Sequence, residues 1–124
     1  MVKLIKIFKH YIRRNTMSQF HTLSVSKITS QTSDTVSVAF EIPNELKKEF
    51  EYTSGQYLTL KFNINGQEER RAYSLCSSPY TDELHEVAVK KVENGIVSTY
   101  INDVLKRGDA IEVMPPQGGF IIEP

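Results

Sequence analysis

Apolar residues recur at alternate positions through much of the chain from Phe20 to Val92, which is the period of a sheet with one buried face. Leu23, Val25 and Ile28 mark a first strand. Val36, Val38 and Phe40 alternate with Thr35, Ser37 and Ala39, predicting a second strand buried on one side. Pro43-Asn44 closes it, and the polar stretch Glu45 to Glu51 reads as a loop or short helical turn. Leu58, Leu60 and Phe62 alternate with Tyr57, Thr59 and Lys61 in a third strand, and Asn65-Gly66 then supplies the backbone freedom of a type I′ hairpin turn. The return strand runs from Glu68 to Leu75. A fifth covers His85 to Val92, after a turn around Pro79 to Glu83. The period then switches to that of a helix: Ser98 is the expected N-cap, Tyr100, Ile101, Val104 and Leu105 the apolar stripe, and Gly108 the stop. Ile111 and Val113 make a last strand before Pro115-Pro116-Gln117-Gly118-Gly119. The pattern predicts an all-β fold, a six-stranded antiparallel Greek-key barrel with one α-helix.

Residues 1–16 follow a different rule. Leu4, Ile5, Ile7, Phe8, Tyr11 and Ile12 share one arc of a helix, and Lys3, Lys6, Lys9, Arg13 and Arg14 share the opposite arc. This N-terminal amphipathic helix has no signal-peptide cleavage site. Two readings stand: a peripheral tether on an anionic membrane surface, or an upstream extension before a start at Met17. The expected division is therefore a leader at 1–16 and a barrel domain at 17–124.

Composition narrows the function. The 124 residues suit one domain with a core of its own. The formal net charge of zero hides an asymmetry. The leader holds five basic and no acidic side chains, leaving ten basic against fifteen acidic in the remainder. That acidic body argues against nucleic-acid binding. The lone Cys76 excludes an internal disulfide and suits a reducing, cytoplasmic setting. No apolar run approaches the roughly 20 residues that span a bilayer. His10, His21 and His85 lie far apart in the pattern and read as surface or edge residues, so no metal site is expected. Cys76 reads as packing rather than redox chemistry.

The chemistry is concentrated in Arg71-Ala72-Tyr73-Ser74-Leu75-Cys76-Ser77-Ser78-Pro79 and Gly95-Ile96-Val97-Ser98. Arginine grips phosphate through two parallel, charge-assisted hydrogen bonds. Taken alone, Arg71 reads first as a surface arginine paired with Glu68 or Glu69. Tyr73 projects from the same strand face and offers a ring to stack on a flat heterocycle; alone it reads as core. Ser74 and Ser77 suit a ring nitrogen or a turn cap. A glycine before a helix start brings unpaired N–H groups and a positive dipole end to an anion, although Gly-x-x-Ser by itself also reads as a plain N-cap.

Taken together, Arg-x-Tyr-Ser-x-x-Ser, then Val87-Ala88-Val89-Lys90-Lys91, then Gly95-Ile96-Val97-Ser98 resembles the FAD-binding domain of the ferredoxin–NADP reductase superfamily. Gly55-Gln56-Tyr57-Leu58 resembles the strand that precedes the arginine hairpin there. The motifs are most similar to oxygenase reductase components of the phenylacetyl-CoA epoxidase reductase type, over residues 20 to about 120. The resemblance implies FAD as cofactor, with Arg71 on the pyrophosphate, Tyr73 against the isoalloxazine and reaching the ribityl chain, Ser74 near flavin N5, and Ala72 among the cofactor-binding residues. It further implies Ala88, Val89 and Lys90 flanking the cofactor largely through backbone. Ile96, Val97 and Ser98 would bring N–H groups and one hydroxyl to the pyrophosphate, with Gly95 permitting the close approach.

The resemblance also implies hydride from NAD(P)H, held on a nicotinamide-nucleotide-binding domain that should begin shortly after residue 120. A ferredoxin, iron–sulfur module or oxygenase would then take the electrons. Here the chain reads Ile121-Ile122-Glu123-Pro124, and no four-cysteine iron–sulfur module is present. Two readings follow: the FAD-binding part of a longer or split reductase, inactive alone, or a non-enzymatic barrel module with little or no cofactor.

Overall fold

The structure is a computed structural model and describes residues 19–118. The leader expected at residues 1–16 lies outside the described residues. Six strands and one helix follow in order: β1 (His21–Thr32), β2 (Thr35–Phe40), β3 (Tyr57–Ile64), β4 (Gln67–Ser74), β5 (His85–Lys90), α1 (Ile96–Asp103) and β6 (Ala110–Gln117). A 3-10 turn at Asn44–Leu46 interrupts the link between β2 and β3. Among the described residues, no helix is long and apolar enough to cross a membrane.

All neighbouring strands are antiparallel, in the order β4-β3-β6-β1-β2-β5. Hairpins join β1 to β2 and β3 to β4, and β6 returns from the far end of the chain to lie between β3 and β1. The result is the expected six-stranded, barrel-like antiparallel sheet with one helix. Its two edges, β4 and β5, meet at one isolated bridge, Leu75 to Val87.

The core follows from the alternation. Leu58, Leu60 and Phe62 of β3 point inward with Leu23 and Val25 of β1, Val38 and Phe40 of β2, Val87 and Val89 of β5, and Ile111 and Val113 of β6. Each such side chain is worth about 2 kcal/mol when buried, and a one-residue slip would turn a whole strand outward, so the register is strongly specified. Asn65 and Gly66 carry φ of 53° and 80°, as the tight β3–β4 turn requires.

Three expectations need correction. The second strand is buried on both faces, not one: Ser37 and Ala39 are as enclosed as their inward neighbours. Ser37 Oγ accepts a hydrogen bond from Gln31 Nε2 at 3.0 Å, so its enclosure leaves no polar atom stranded. The helix begins earlier than expected, with Gly95 at the N-cap and Ser98 already inside the first turn, and it ends at Asp103. Gly108 does not stop it. With φ of 93°, Gly108 turns the chain toward β6 and donates its N–H to Val25 O at 2.8 Å. The fifth strand ends at Lys90, two residues short of Val92.

Candidate functional site

The bridge between Leu75 and Val87 is where the two sheet edges stop pairing. If its antiparallel register continued, Ser74 would face Ala88, Tyr73 would face Val89 and Ala72 would face Lys90. The strands diverge there instead. The three motif residues on β4 and the three on β5 therefore flank one opening, with α1 packed against β5, β4 and β2 beside it. Topology thus brings together three segments that are well separated in sequence.

Within β4 the faces alternate. Arg71 lies opposite Leu60 and Tyr73 opposite Leu58, so both share the inner side of the sheet. Because β4 is an edge strand, that side is only partly covered. Tyr73 packs on the margin of the core, and burial pushes its hydroxyl pKa up, keeping it a neutral donor at neutral pH. Arg71 remains exposed. Its Nη1 donates to Arg70 O at 2.7 Å and its Nη2 to Glu69 Oε1 at 3.2 Å. An exposed pair of this kind is worth at most about 1 kcal/mol, so the guanidinium is held loosely and can be redirected by a stronger anion. Ala72 and Ser74 occupy the other face, Ser74 opposite Tyr57. A ligand lying against the strand's free edge would meet both faces.

On β5, Ala88 and Lys90 are exposed while Val89 is fully buried. The Val89 carbonyl accepts from Asn102 Nδ2 at 3.2 Å, which anchors α1 to the strand. Val89 therefore offers the opening no free side chain.

The helix start is built for close approach. Gly95 N donates to Val92 O at 3.0 Å, and a Cβ at Gly95 would lie 2.5 Å from both Ser98 Oγ and Val92 Cγ2. Only glycine fits. The N–H groups of Ile96, Val97 and Ser98 belong to the first helical turn and have no partner within the helix. The Ser98 hydroxyl is committed elsewhere: it is buried, accepts from Val92 N at 3.1 Å and lies 3.4 Å from Gly95 O, to which it donates. A groove of about 700 Å³ separates this helix start from the tip of the β3–β4 hairpin, lined by Asn63, Asn65, Gly95, Ile96, Thr99 and Tyr100 among others. That volume falls within the range of small-molecule sites.

Cys76 departs from its sequence reading, whereas His85 opens the edge strand β5 as expected. Cys76 is exposed rather than packed. Partial desolvation and then Glu86 push its thiol pKa up, so it is no ready nucleophile. His85 is partly enclosed, with Nε2 2.6 Å from Phe50 O and its ring 4.7 Å from that of Tyr52. Ser77 has its hydroxyl engaged within the protein. It is 2.5 Å from Tyr52 Oη and accepts from Glu86 N at 3.1 Å. No period or motif joins Tyr52, Ser77 and Glu86, because their meeting depends on two separate loops and the start of β5.

An edge-strand arginine and tyrosine, and a glycine-led helix start that borders a groove of its own, describe a site for a phosphate-bearing ligand with a flat ring. Comparison with known proteins gives that class a family. Residues 22–122 match the model of the oxidoreductase FAD-binding domain, and the chain belongs to that family. It is 42% identical over 108 residues to one of the subunits of the 1,2-phenylacetyl-CoA epoxidase from Escherichia coli K12, covering 87% of this chain and 30% of that protein. It is 40% identical over 99 residues to the ferredoxin reductase component of 3-ketosteroid-9-alpha-monooxygenase from Rhodococcus rhodochrous, covering 79% and 28%. Its fold resembles a ferredoxin NADP+ reductase from Neisseria gonorrhoeae solved with FAD and NADP, with TM-score 0.69 and 20% identity over 82% of this chain and 39% of that one. The chain spans less than a third of the length of the two curated relatives.

Proposed function

We propose that this chain is the FAD-binding part of a cytoplasmic NAD(P)H-dependent flavin oxidoreductase that feeds a ferredoxin, iron–sulfur centre or oxygenase. The observation that carries the proposal is the parting of β4 and β5 beyond Leu75 and Val87, beside the glycine-led start of α1. The residues fit the group. Loosely held Arg71 and the N–H groups of Ile96, Val97 and Ser98 supply cationic and dipolar donors for a pyrophosphate. Gly95 keeps that turn free of a side chain. Tyr73 offers a half-buried ring and a neutral hydroxyl for the isoalloxazine and ribityl chain. Ser74, exposed at the strand end, offers a hydroxyl to the ring edge near N5, and Ala72, Ala88, Val89 and Lys90 border the opening.

When bound, FAD supplies a ring that accepts two electrons as hydride and releases them one at a time. The chain's own residues would bind and orient it: Arg71 and the helix amides would neutralise the phosphates, and Tyr73 would exclude water from one side of the ring. Hydride would come from a nicotinamide nucleotide held on a second domain, in the same polypeptide or a partner chain, so residues 17–124 alone would not turn over NAD(P)H. The basic leader at 1–16 stands outside this cofactor domain, as a peripheral membrane tether or an upstream extension.

The test is an FAD titration of the purified chain. A yellow, saturable complex is expected, and a protein that takes up no FAD would favour the non-enzymatic barrel module instead.

A further inference from the structure

The strand that carries Ser74 is fixed at its far end by a small clasp. Beyond Ser74 the chain leaves β4 with few partners on its open side. Leu75 N donates to Gln56 O at 3.0 Å, and Cys76 N donates to Glu86 O at 2.8 Å. Ser77 then completes the connection. Its Oγ accepts the Glu86 N–H at 3.1 Å and shares a hydrogen bond with Tyr52 Oη at 2.5 Å, in which either hydroxyl can donate. Tyr52 is itself held. Its ring meets His85 edge-on at 4.7 Å, and His85 reaches back to the carbonyl of Phe50 at 2.6 Å. One hydroxyl thus ties the end of β4, the start of β5 and the segment between β2 and β3 at the point where the two sheet edges are joined by a single bridge.

We propose that Ser77 is a positioning residue: by clasping Tyr52 and Glu86 it sets the height of Ser74 and Tyr73 against the flavin ring without touching the ring itself. The proposal rests on the FAD reading above. Two residues, Leu75 and Cys76, separate Ser77 from Ser74, so a shift at the clasp is passed along an edge strand whose only continuous partner among the described residues is β3. A hydroxyl hydrogen bond weakens steeply as its distance and angle depart from ideal, so small displacements of Ser74 alter its interaction with the ring. Phosphate binding depends on Arg71 and the start of α1, further from the clasp, and should change little.

Removing the Ser77 hydroxyl would leave the Glu86 N–H and the Tyr52 hydroxyl without their partner, a strong drive for the loop to rearrange. Removing only the Tyr52 hydroxyl keeps the ring on His85 and breaks one arm of the clasp. Ser77→Thr keeps the acceptor.

The experiment compares Ser77→Ala, Tyr52→Phe and Ser77→Thr with the unaltered chain by FAD affinity, visible flavin spectrum and flavin midpoint potential. Ser77→Ala and Tyr52→Phe should hold FAD within about threefold of the unaltered affinity, the scale of a small indirect effect. They should nonetheless shift spectrum and potential in a common direction, and Ser77→Thr should restore both. A double variant should shift no further than Ser77→Ala alone, since both changes break one clasp. Unshifted spectrum and potential in both Ser77→Ala and Tyr52→Phe would overturn the proposal. So would a loss of affinity in Ser77→Ala that tracks lost thermal stability while the bound fraction keeps its original spectrum. Failure of the unaltered chain to bind FAD would instead sink the cofactor reading itself.

Discussion

Ser98 Oγ accepts the backbone N–H of Val92 at 3.1 Å, tying the first turn of α1 to the chain leaving β5. The hydroxyl is buried in that contact, so its contribution to a ligand is indirect: it holds the turn from which Gly95 and Ile96 line the groove. Ser98→Ala should lower stability by about 1–2 kcal/mol, the cost of stranding a part-buried amide. Denaturant midpoints measure the loss. FAD affinity should fall less than for removal of a direct phosphate ligand, and an affinity collapse with unchanged stability would show that the hydroxyl binds the cofactor itself.

Gly95→Ala tests the same turn from the other side. The added methyl would sit 2.5 Å from Ser98 Oγ and from Val92 Cγ2, and 3.1 Å from Val92 O. Gly95 has φ of −84°, so backbone conformation is no obstacle and the cost is one of overpacking. A destabilisation of about 1–3 kcal/mol is expected, with weakened FAD binding. A variant as stable as its parent would mean that the turn has slack.

His85 makes stability depend on pH. Burial is the main cause holding its pKa below the ordinary 6.5, opposed by the Phe50 carbonyl and reinforced by Lys47. Between the folded and unfolded pKa values the unfolded chain binds more protons, so stability rises with pH in that window. His85 thus contributes in full above pH 6.5, and the contribution falls away as pH drops toward the folded-state pKa. Thermal melts from neutral to mildly acidic pH should show this decline, and His85→Gln should flatten it. An unchanged slope in the variant would assign the pH dependence to other groups.

The sheet is largely legible in the chain because its strongest signals are local. Leu58, Leu60 and Phe62 alternate cleanly, and Asn65-Gly66 has few alternatives to a tight turn. The spacing of Leu23, Val25 and Ile28 carries an irregular step, and the structure has a register shift between Val25 and Lys27 there. What is not legible depends on partners brought from a distance. The outer face of β2 is covered by tertiary packing that no alternation in Thr35–Phe40 records. A serine before an apolar stripe is usually a cap, yet the Ser98 hydroxyl turns back to Val92. The motif segments are visible in sequence, whereas their meeting at the parted edges of β4 and β5 is a property of the sheet order. Ser77 stands inside the motif, but its partners Tyr52 and Glu86 carry no spacing that would announce them.

The most direct measurement is an equilibrium FAD titration of the chain beside Arg71→Ala, with denaturant unfolding of both in the absence of cofactor. The Arg71 side chain is exposed and, among the described residues, bound only to Glu69 and a backbone carbonyl, so its loss should change stability by less than about 0.5 kcal/mol. Charge-assisted hydrogen bonds to phosphate are worth about 1.5–3 kcal/mol, so affinity should fall by roughly tenfold to a hundredfold. Saturable FAD binding that weakens by that factor at unchanged stability is the expected result. An Arg71→Ala variant that binds FAD as tightly as its parent, or a parent chain that binds none, would contradict the account.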